Sequence, residues 1–156
     1  MQQPHPQVSV IFDIDGTLVD STEFDNAAYI DAVRHVLGPI SIRPNWGDYE
    51  HVTDAGILRS ICLDNQIDHD ICVSQVRTRF GELISAGLRL GPCPAVRGGV
   101  QLLQGLLANP EIEVGIATGG WGHTARMKLD RAGYDFLKCP LASSDDGYER
   151  DRIMQH

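Results

Sequence analysis

Two short, almost continuously apolar segments constrain the fold most, because each is followed at once by a polar, glycine-containing turn. The first is Val8–Phe12, which stops at Asp13, and the second is Glu113–Ala117, which runs into Thr118. Such segments are typical of strands buried on both faces of a parallel sheet. A helical pattern over residues 98–107 precedes the second strand, and a helix leading into a strand is the crossover that parallel strands require. The sequence therefore predicts an α/β fold with a parallel sheet as its core.

The second half of the chain continues this core. A helix is predicted over Gly122–Ala132, ending before Gly133, followed by a weaker strand over Leu137–Ala142 that Pro140 interrupts. Residues 148–156 resemble the opening of one more helix. Three predicted strands are fewer than doubly wound sheets usually carry. We therefore expect an incomplete sheet, as in a fragment of a longer protein.

The interval between the two strands is too long for one crossover and predicts an inserted domain. It contains three helical patterns, Glu23–Leu37, Thr53–Leu63 and Asp68–Leu88, separated by turns. The simplest organisation is an α-helical cap mounted on the α/β core. The predicted boundaries are 1–20 and 91–156 for the discontinuous core and 21–90 for the cap.

The composition of the chain limits the kinds of binding partner and of cellular location that we expect for the protein. The formal net charge is -8, with Lys+Arg 13 against Asp+Glu 21, which argues against a nucleic-acid backbone as the main partner. No apolar run reaches the ~20 residues of a membrane span, and no secretory signal is visible. The four cysteines are scattered without metal-binding spacing. Free thiols and a cytoplasmic location are the expectation.

The chemically informative pattern is the Asp13-Ile14-Asp15-Gly16-Thr17 turn directly after the first strand. Ligands of open α/β sheets bind at the carboxyl ends of the strands, where this turn lies. One carboxylate can attack as a nucleophile while its neighbour transfers protons. The alternative is a plain turn stabilised by Asp and Gly. An EF-hand calcium loop is excluded, because Gly16 is fourth rather than sixth and the twelfth position is Phe24.

The segment from Phe12 to Ser21, FDIDGTLVDS, resembles the first motif of the haloacid dehalogenase (HAD) superfamily, in which phosphatases predominate. Ile116-Ala117-Thr118-Gly119-Gly120 is similar to the second motif, an apolar strand that ends in Thr or Ser. A helical cap inserted just after the first motif is also a feature of a large HAD subgroup. The resemblance covers the chain to about residue 142 and implies a Rossmann-like core.

The resemblance assigns roles to these residues. Asp13 would be the nucleophile that forms an aspartyl-phosphate, and Asp15 the general acid/base, while both would hold Mg²⁺. Thr118 and the N–H of Gly119 would bind the phosphoryl group. The second Asp favours phosphate-ester hydrolysis over carbon–halogen cleavage. The implied activity is a magnesium-dependent phosphomonoesterase acting on a small phosphorylated metabolite.

The third and fourth motifs are less well defined. Lys128, ten residues after Thr118, is the candidate for the cation that steadies the nucleophile and the phosphate; Arg150 is the second candidate, and a surface lysine is the rival interpretation of Lys128. The acidic pair of the fourth motif has no counterpart in the sequence. Asp145 and Asp146 are the nearest acids, and we expect them in the loop after the third strand.

Substrate selection in capped HAD proteins involves a cap loop that faces the active site. Tyr49, Thr53 and Asp54 are the candidates here, with helix capping as the alternative for the last two. A non-catalytic HAD remnant remains open, as does a phosphomutase or phosphonate hydrolase on the same scaffold. Loss of a strand beside the first one would leave an apolar sheet edge, so self-association through that edge is expected.

Overall fold

The computed structural model describes residues 8–91 and 93–155, with only the backbone described at residues 22 and 23. Its core is a parallel sheet of three strands in the order β1–β2–β3, where β1 is Val8–Phe12, β2 is Ile112–Ala117 and β3 is Leu141–Ala142. Val8 pairs with Ile112 and Phe12 with Ile116. The predicted parallel sheet is therefore confirmed.

The third strand is much shorter than the sequence predicts. Only Leu141 and Ala142 are strand, and they pair with Ile116 and Ala117. The residues before them form a turn in which the Cys139 N–H donates to the Phe136 carbonyl. Pro140 lacks the N–H that a sheet ladder needs, so the strand begins only after it.

Six helices follow the predicted pattern to within a few residues. They are α1 (Thr22–Leu37), α2 (Asp54–Asp64), α3 (His69–Leu90), α4 (Gly99–Leu107), α5 (Gly122–Arg131) and α6 (Arg150–Ile153), with a short 3₁₀ helix at Trp46–Asp48. The Thr53 hydroxyl accepts from the Gly56 N–H at the start of α2, and the Asp68 carboxylate caps α3. Residues 1–7 of the predicted core and the last residue of the predicted final helix lie outside the described residues.

The chain leaves the core and returns to it at neighbouring points. The Asp20 N–H donates to the Pro94 carbonyl at 3.0 Å, and the Val96 N–H donates to the Leu18 carbonyl at 2.8 Å. The segment between these two contacts contains α1, α2 and α3. This inserted segment therefore leaves the core and rejoins it at adjacent points. The turn after β1, from which the chain leaves the core, contains Gly16. Its φ of 78° is a backbone conformation that favours glycine.

The inserted helices pack on each other and on the core through one hydrophobic cluster. On α1 the buried residues include Tyr29, Ala32 and Val33, and on α3 they include Phe80 and Ile84. Trp121, at the start of α5, is 1% exposed and stacks on Tyr29 with ring centroids 5.8 Å apart. The inserted helices are thereby held over the carboxyl end of the sheet.

Two further observations concern the described helices and the cysteines. None of the described helices is long and apolar enough to cross a membrane. All four cysteines are free and buried, and the Sγ atoms of Cys62 and Cys72 lie 3.4 Å apart.

Candidate active site

A cavity of about 170 Å³ lies where β1 and β2 end, between the core and the inserted helices. The turn after β1 contributes Asp13 and Asp15, and the turn after β2 contributes Thr118, Gly119 and Gly120. The structure therefore brings the two segments that the sequence singles out to one site. This is the edge at which open α/β sheets bind their ligands.

Asp13 is the more available of the two turn carboxylates. Its side chain is 40% exposed, and Oδ1 accepts only a local hydrogen bond from the Ile14 N–H at 2.7 Å. Oδ2 lies 3.9 Å from Nη1 of Arg150, the nearest cation in the described residues. The second oxygen of Asp13 is therefore open to the cavity, as attack on an electrophile requires.

Asp15 is held in place by two other side chains. Its Oδ1 accepts hydrogen bonds from the Ser21 hydroxyl at 2.6 Å and from the Lys128 ammonium at 2.5 Å. Burial alone would raise the pKa of Asp15, but the positive charge of Lys128, together with hydrogen bonds that include those from Lys128 and Ser21, lowers it below its usual range. Asp15 is consequently ionised at neutral pH in this state.

Lys128 lies inside the site but does not contact Asp13. The residue is 3% exposed, and its Nζ atom bridges Asp15 and Asp25, the latter at 2.6 Å. Burial lowers the pKa of Lys128, but the two carboxylates raise it more, so the net shift is upward. The surface-lysine interpretation is excluded by this burial. Of the two candidate cations, Arg150 is the one near Asp13.

Asp25 is a member of the site that the sequence analysis does not single out. Burial raises its pKa to about 6, with the Lys128 charge opposing this and the Asp15 charge adding to it. The local pattern does contain a signal for it. Asp25 lies four residues before Tyr29 and eight before Val33, on the face of α1 that these two residues bury. An acid on an apolar helix face indicates a buried polar partner.

The turn after β2 is fixed by the segment that begins α2. The Asp54 N–H donates to the Gly119 carbonyl at 2.8 Å, and Asp54 Oδ2 accepts the Trp121 N–H at 2.8 Å. A Cβ at Gly119 would lie 3.2 Å from the Val52 carbonyl oxygen, so only glycine fits this approach easily. Thr118 is 3% exposed, and its hydroxyl accepts the Gly120 N–H at 3.1 Å.

The three cap candidates have different positions. Thr53 and Asp54 line the cavity, and burial raises the pKa of Asp54 to about 7. Thr53 also caps α2, which is the helix-capping role given above as the alternative. Its hydroxyl donates to the Tyr148 carbonyl at 2.7 Å. Tyr49 is not brought to the cavity: it is 3% exposed, and its hydroxyl accepts the Arg43 N–H at 2.9 Å.

Asp145 and Asp146 lie in the loop after β3, as expected, and away from the cavity. Asp145 pairs with Arg77 at 2.7 Å and accepts the Gly122 N–H at 3.2 Å. Asp146 Oδ2 accepts the Ser143 N–H at 2.8 Å. Within residues 8–91 and 93–155, no group of three or more His, Cys, Asp or Glu side chains is arranged to hold a metal ion.

Aromatic side chains complete the cavity on the side of the inserted helices. Tyr29 makes edge-to-face contacts with Trp46 and Phe80, at centroid distances of 5.8 and 5.6 Å. All three rings line the cavity. They come from α1, the 3₁₀ helix and α3, so no single stretch of sequence indicates that they meet.

Solved structures share this arrangement of elements. A hydrolase from Pseudomonas syringae is 27% identical in sequence, over 90% of this chain and 62% of its own, with a TM-score of 0.67. CbbY from Rhodobacter sphaeroides, in complex with phosphate, is 16% identical over 94% of this chain and 69% of its own, with a TM-score of 0.66. YfnB from Bacillus subtilis, described as a HAD hydrolase and bound to magnesium, is 16% identical over 97% and 72%, with a TM-score of 0.52.

The chain has the HAD fold. The HAD-like α/β core with helices inserted after the first strand is thus confirmed as a fold. The chain spans 62% of the length of the Pseudomonas syringae hydrolase. No protein-family model matches the sequence, and no curated protein matches it.

Proposed function

We propose that this HAD-fold chain carries the catalytic site of a phosphomonoesterase that works through an aspartyl-phosphate on Asp13. The observation that supports this best is the open carboxylate of Asp13 beside Thr118 and Gly119 in one cavity, with Arg150 at its edge. Phosphoryl transfer depends on positioning and charge stabilisation more than on elaborate chemistry. The cavity combines a nucleophile, a proton-transfer group and phosphate-binding donors.

In the first half-reaction, Asp13 Oδ2 forms a bond to phosphorus as the bond to the leaving oxygen breaks. The leaving oxygen takes a proton from Asp15. Asp15 is ionised in the ligand-free site, but an entering phosphate places negative charge next to it and raises its pKa, which favours the protonated form. In the second half-reaction Asp15 accepts a proton from the water that attacks phosphorus, and Asp13 is released.

The groups that hold the phosphoryl oxygens in this proposal are the Thr118 hydroxyl, the Gly119 N–H and the Arg150 guanidinium. Arg150 has the reach for this role, because a Cβ at Gly119 would lie 3.4 Å from Arg150 Nη2. Lys128 acts through Asp15. Its Nζ atom lies 2.5 Å from Asp15 Oδ1, and this ion pair fixes the position and the charge of the carboxylate. The third-motif role is thus shared between two cations in this proposal.

Magnesium fits the donor chemistry of the site only as a weakly held ion. The open carboxylate of Asp13 and the backbone carbonyl of Asp15 are hard oxygen ligands, and Mg²⁺ commonly uses one or two carboxylates together with waters and substrate phosphate. When bound, the ion would neutralise charge between the phosphate and the carboxylates. Magnesium dependence is part of the proposal.

The segment 21–90 is proposed to be the cap that closes over this site, and 1–20 with 91–156 the core. The segment 52–54 supports this, since its contacts with Gly119 and Trp121 close the cavity from the side of the inserted helices. The substrate in this proposal is a small phosphorylated metabolite, because a cavity of about 170 Å³ is smaller than those that hold drug-sized ligands.

The test is the Asp13→Asn variant, assayed with p-nitrophenyl phosphate and magnesium. We expect release of phosphate to fall by at least about a thousandfold, because the amide keeps the shape but removes the nucleophile. The fold should remain, since Asp13 is half-exposed. The matched control is Asp20→Asn, an exposed acid of the same turn region, which should keep the parent activity. Activity of Asp13→Asn within threefold of the parent would overturn the proposal.

A further inference from the structure

Two of the four free cysteines lie side by side inside the inserted helices. Cys62 is in the last turn of α2, Cys72 is the fourth residue of α3, and their Sγ atoms are 3.4 Å apart. The sulfurs of a disulfide are about 2.05 Å apart, so a small movement of the two side chains is enough to bring them to bonding distance. The residues that line the active-site cavity include neither of them.

A short turn keeps the two cysteines together. Only residues 65–68 separate the end of α2 from the start of α3. The Ile67 N–H donates to the Cys62 carbonyl at 2.9 Å, which ties this turn back to α2. The Cys72 thiol donates to the His69 carbonyl at 3.4 Å within the first turn of α3. The backbone on both sides of the sulfur pair is therefore fixed by local hydrogen bonds.

The reduced pair is protected by its burial. Cys62 and Cys72 are 1% and 4% exposed. Burial raises the pKa of the Cys62 thiol to about 12, and the hydrogen bond with Cys72 adds to this effect. Because the thiolate is the reactive form of cysteine, the closed pair reacts slowly with oxidants at neutral pH.

Cys72 is the member of the pair that reaches solvent more easily. It lies near the start of α3 among exposed residues: Ile71 is 71% exposed, and the side chain of Asp70 is 95% exposed. Helix ends open more readily than helix interiors, so unwinding of the first turn of α3 exposes this sulfur without unfolding the whole helix. When the turn closes again, Cys72 returns to its contact with Cys62.

We propose that Cys62 and Cys72 form a reversible disulfide, which joins α2 to α3 when the chain meets a small-molecule disulfide. In the first step the Cys72 thiolate attacks one sulfur of this reagent, and the other half of the reagent leaves as a thiol. In the second step the Cys62 sulfur attacks the Cys72 sulfur of the mixed disulfide, and the second half of the reagent leaves. The pair loses two electrons and two protons, which the reagent takes up as two thiol molecules.

This disulfide goes beyond the proposed phosphatase function and does not depend on it. It closes a loop of roughly ten residues, and a cross-link of that size stabilises a fold by lowering the entropy of the unfolded chain. Folding and oxidation are then linked, because a bridge that stabilises the folded state is itself more stable in the folded state. The two helices that it joins carry Asp54 and Phe80 into the active-site cavity.

The first experiment measures the stability of the bridge in the full chain. The chain is equilibrated in buffers with increasing ratios of oxidised to reduced glutathione, quenched in acid, alkylated and mapped by mass spectrometry. Equilibrium is approached from the reduced chain and from chain that was oxidised in urea and refolded, so slow reaction of buried thiols does not affect the result. We expect a link between Cys62 and Cys72, with Cys93 and Cys139 alkylated as free thiols.

The same titration in urea gives the reference value for the unfolded chain. A short loop favours this pair even without a fold, so the comparison of the two equilibrium constants is the decisive readout. We expect the constant for oxidation of the pair to be on the order of tenfold or more larger in the native chain than in urea.

The second experiment compares thermal unfolding of the oxidised and reduced forms by circular dichroism. We expect the oxidised form to unfold at a temperature higher by about 5 °C. Cys72→Ala should remove this difference. The matched control is Cys139→Ala, which removes a thiol that is also buried but lies in the turn before β3, and which should keep the difference. Each variant is compared with its own reduced form, so a general loss of stability cancels.

Several results would overturn the proposal. These are four free thiols in the native chain at every ratio, a bridge that involves Cys93 or Cys139, and equal equilibrium constants in native buffer and in urea. An oxidised form that unfolds at the same or a lower temperature than the reduced form would overturn it as well. The titration needs no substitution at the pair, so it decides the question even if Cys72→Ala does not fold. None of these readouts uses phosphate release, so they leave the test of the phosphatase function separate.

Discussion

Asp13 and Asp15 are two positions apart in sequence, yet their carboxylates have different surroundings. Asp13 is 40% exposed and has one local N–H donor, whereas Asp15 takes hydrogen bonds from Ser21 and Lys128. In a continuing strand two residues two positions apart would lie on the same face, but here the chain turns directly after Asp13, with the Thr17 and Leu18 N–H groups donating to the Ile14 carbonyl, so the two carboxylates reach different surroundings. One carboxylate is free to attack while the other is positioned for proton transfer.

Lys128 contributes to stability as well as to the site. Its ammonium group is the only cation in direct contact with Asp15 and Asp25 among the described residues. Lys128→Met keeps the length of the side chain but leaves two partly buried acids without a counter-charge. We expect the free energy of unfolding to fall by about 3–5 kcal/mol, as when one partner of a buried ion pair is removed. Urea unfolding followed by circular dichroism measures this change.

The control for this measurement is Lys138→Met, because Lys138 is exposed in the turn before β3. Substitutions at such positions usually change stability by less than about 0.5 kcal/mol. A loss in Lys128→Met as small as that of the control would contradict the account of the Lys128 bridge.

At the scale of elements, α1 and α2 each carry one acid into the site, and both acids have a raised pKa. The pKa is about 6 for Asp25 and about 7 for Asp54, against the usual 3.8 of the unfolded chain. Between about pH 4 and about pH 7, the folded state therefore holds protons that the unfolded state has lost. Their contribution to stability is complete below the unfolded pKa and is lost as the pH rises through the folded pKa.

We expect Asp54→Asn to weaken this pH dependence. The free energy of unfolding of the parent should fall as the pH rises across this window. The variant should lose the Asp54 part of the slope, which is at most about 1.4 kcal/mol per pH unit for one group. Urea unfolding at a series of pH values measures it. Asp130→Asn should keep the parent slope, and the same slope in Asp54→Asn would show that this carboxyl titrates normally.

Local sequence patterns predict most of the elements because their causes are local. The apolar run of β1 and the Thr53 cap of α2 depend on neighbouring residues alone. Two motifs place Asp13 and Thr118 at the ends of parallel strands, so their meeting also follows from the sequence. The shortness of β3 follows only in part, because Pro140 indicates where the strand can begin, whereas the turn before it depends on its own hydrogen bonds.

The remaining part of the site depends on contacts between distant elements. Asp25 comes within 2.6 Å of Lys128 across 103 positions of sequence, and the segment at Asp54 reaches Trp121 across 67 positions. The position of Asp25 on an apolar helix face indicates that it has a buried partner, but no local pattern identifies Lys128 as that partner, and the contact at Asp54 has no local signature. Tyr49 is an example of the opposite error, a residue that the sequence assigns to the site and the structure does not. The polar residues around it in the sequence suggest contact with a ligand, but its hydroxyl accepts the Arg43 N–H.

At the scale of the whole molecule, β1 forms an edge of the sheet that no other described strand covers. Among the described strands, β1 pairs only with β2, and Val8 and Ile11 on β1 are 54% and 49% exposed. Unpaired N–H and C=O groups next to apolar side chains favour pairing with another chain. We therefore expect the chain to self-associate through this edge, which sedimentation velocity at increasing concentration measures.

The variant Ile11→Lys should reduce this association, because a lysine on a strand edge opposes pairing. Leu137→Lys makes the same change at an exposed site outside the sheet, where Leu137 is 88% exposed, and should leave the association unaltered. A parent chain that remains monomeric at every concentration would contradict the prediction.

The most direct test of the central claim is to locate the phosphoryl group on the enzyme during turnover. The chain and its Asp15→Asn variant are mixed with p-nitrophenyl phosphate and magnesium, quenched in acid and mapped by mass spectrometry. The account predicts a phosphoryl group on the peptide that contains Asp13, with more of it in Asp15→Asn if hydrolysis of the intermediate is the step that depends most on Asp15. Release of phosphate without any phosphoryl group on Asp13, or with one on another residue, would contradict the account.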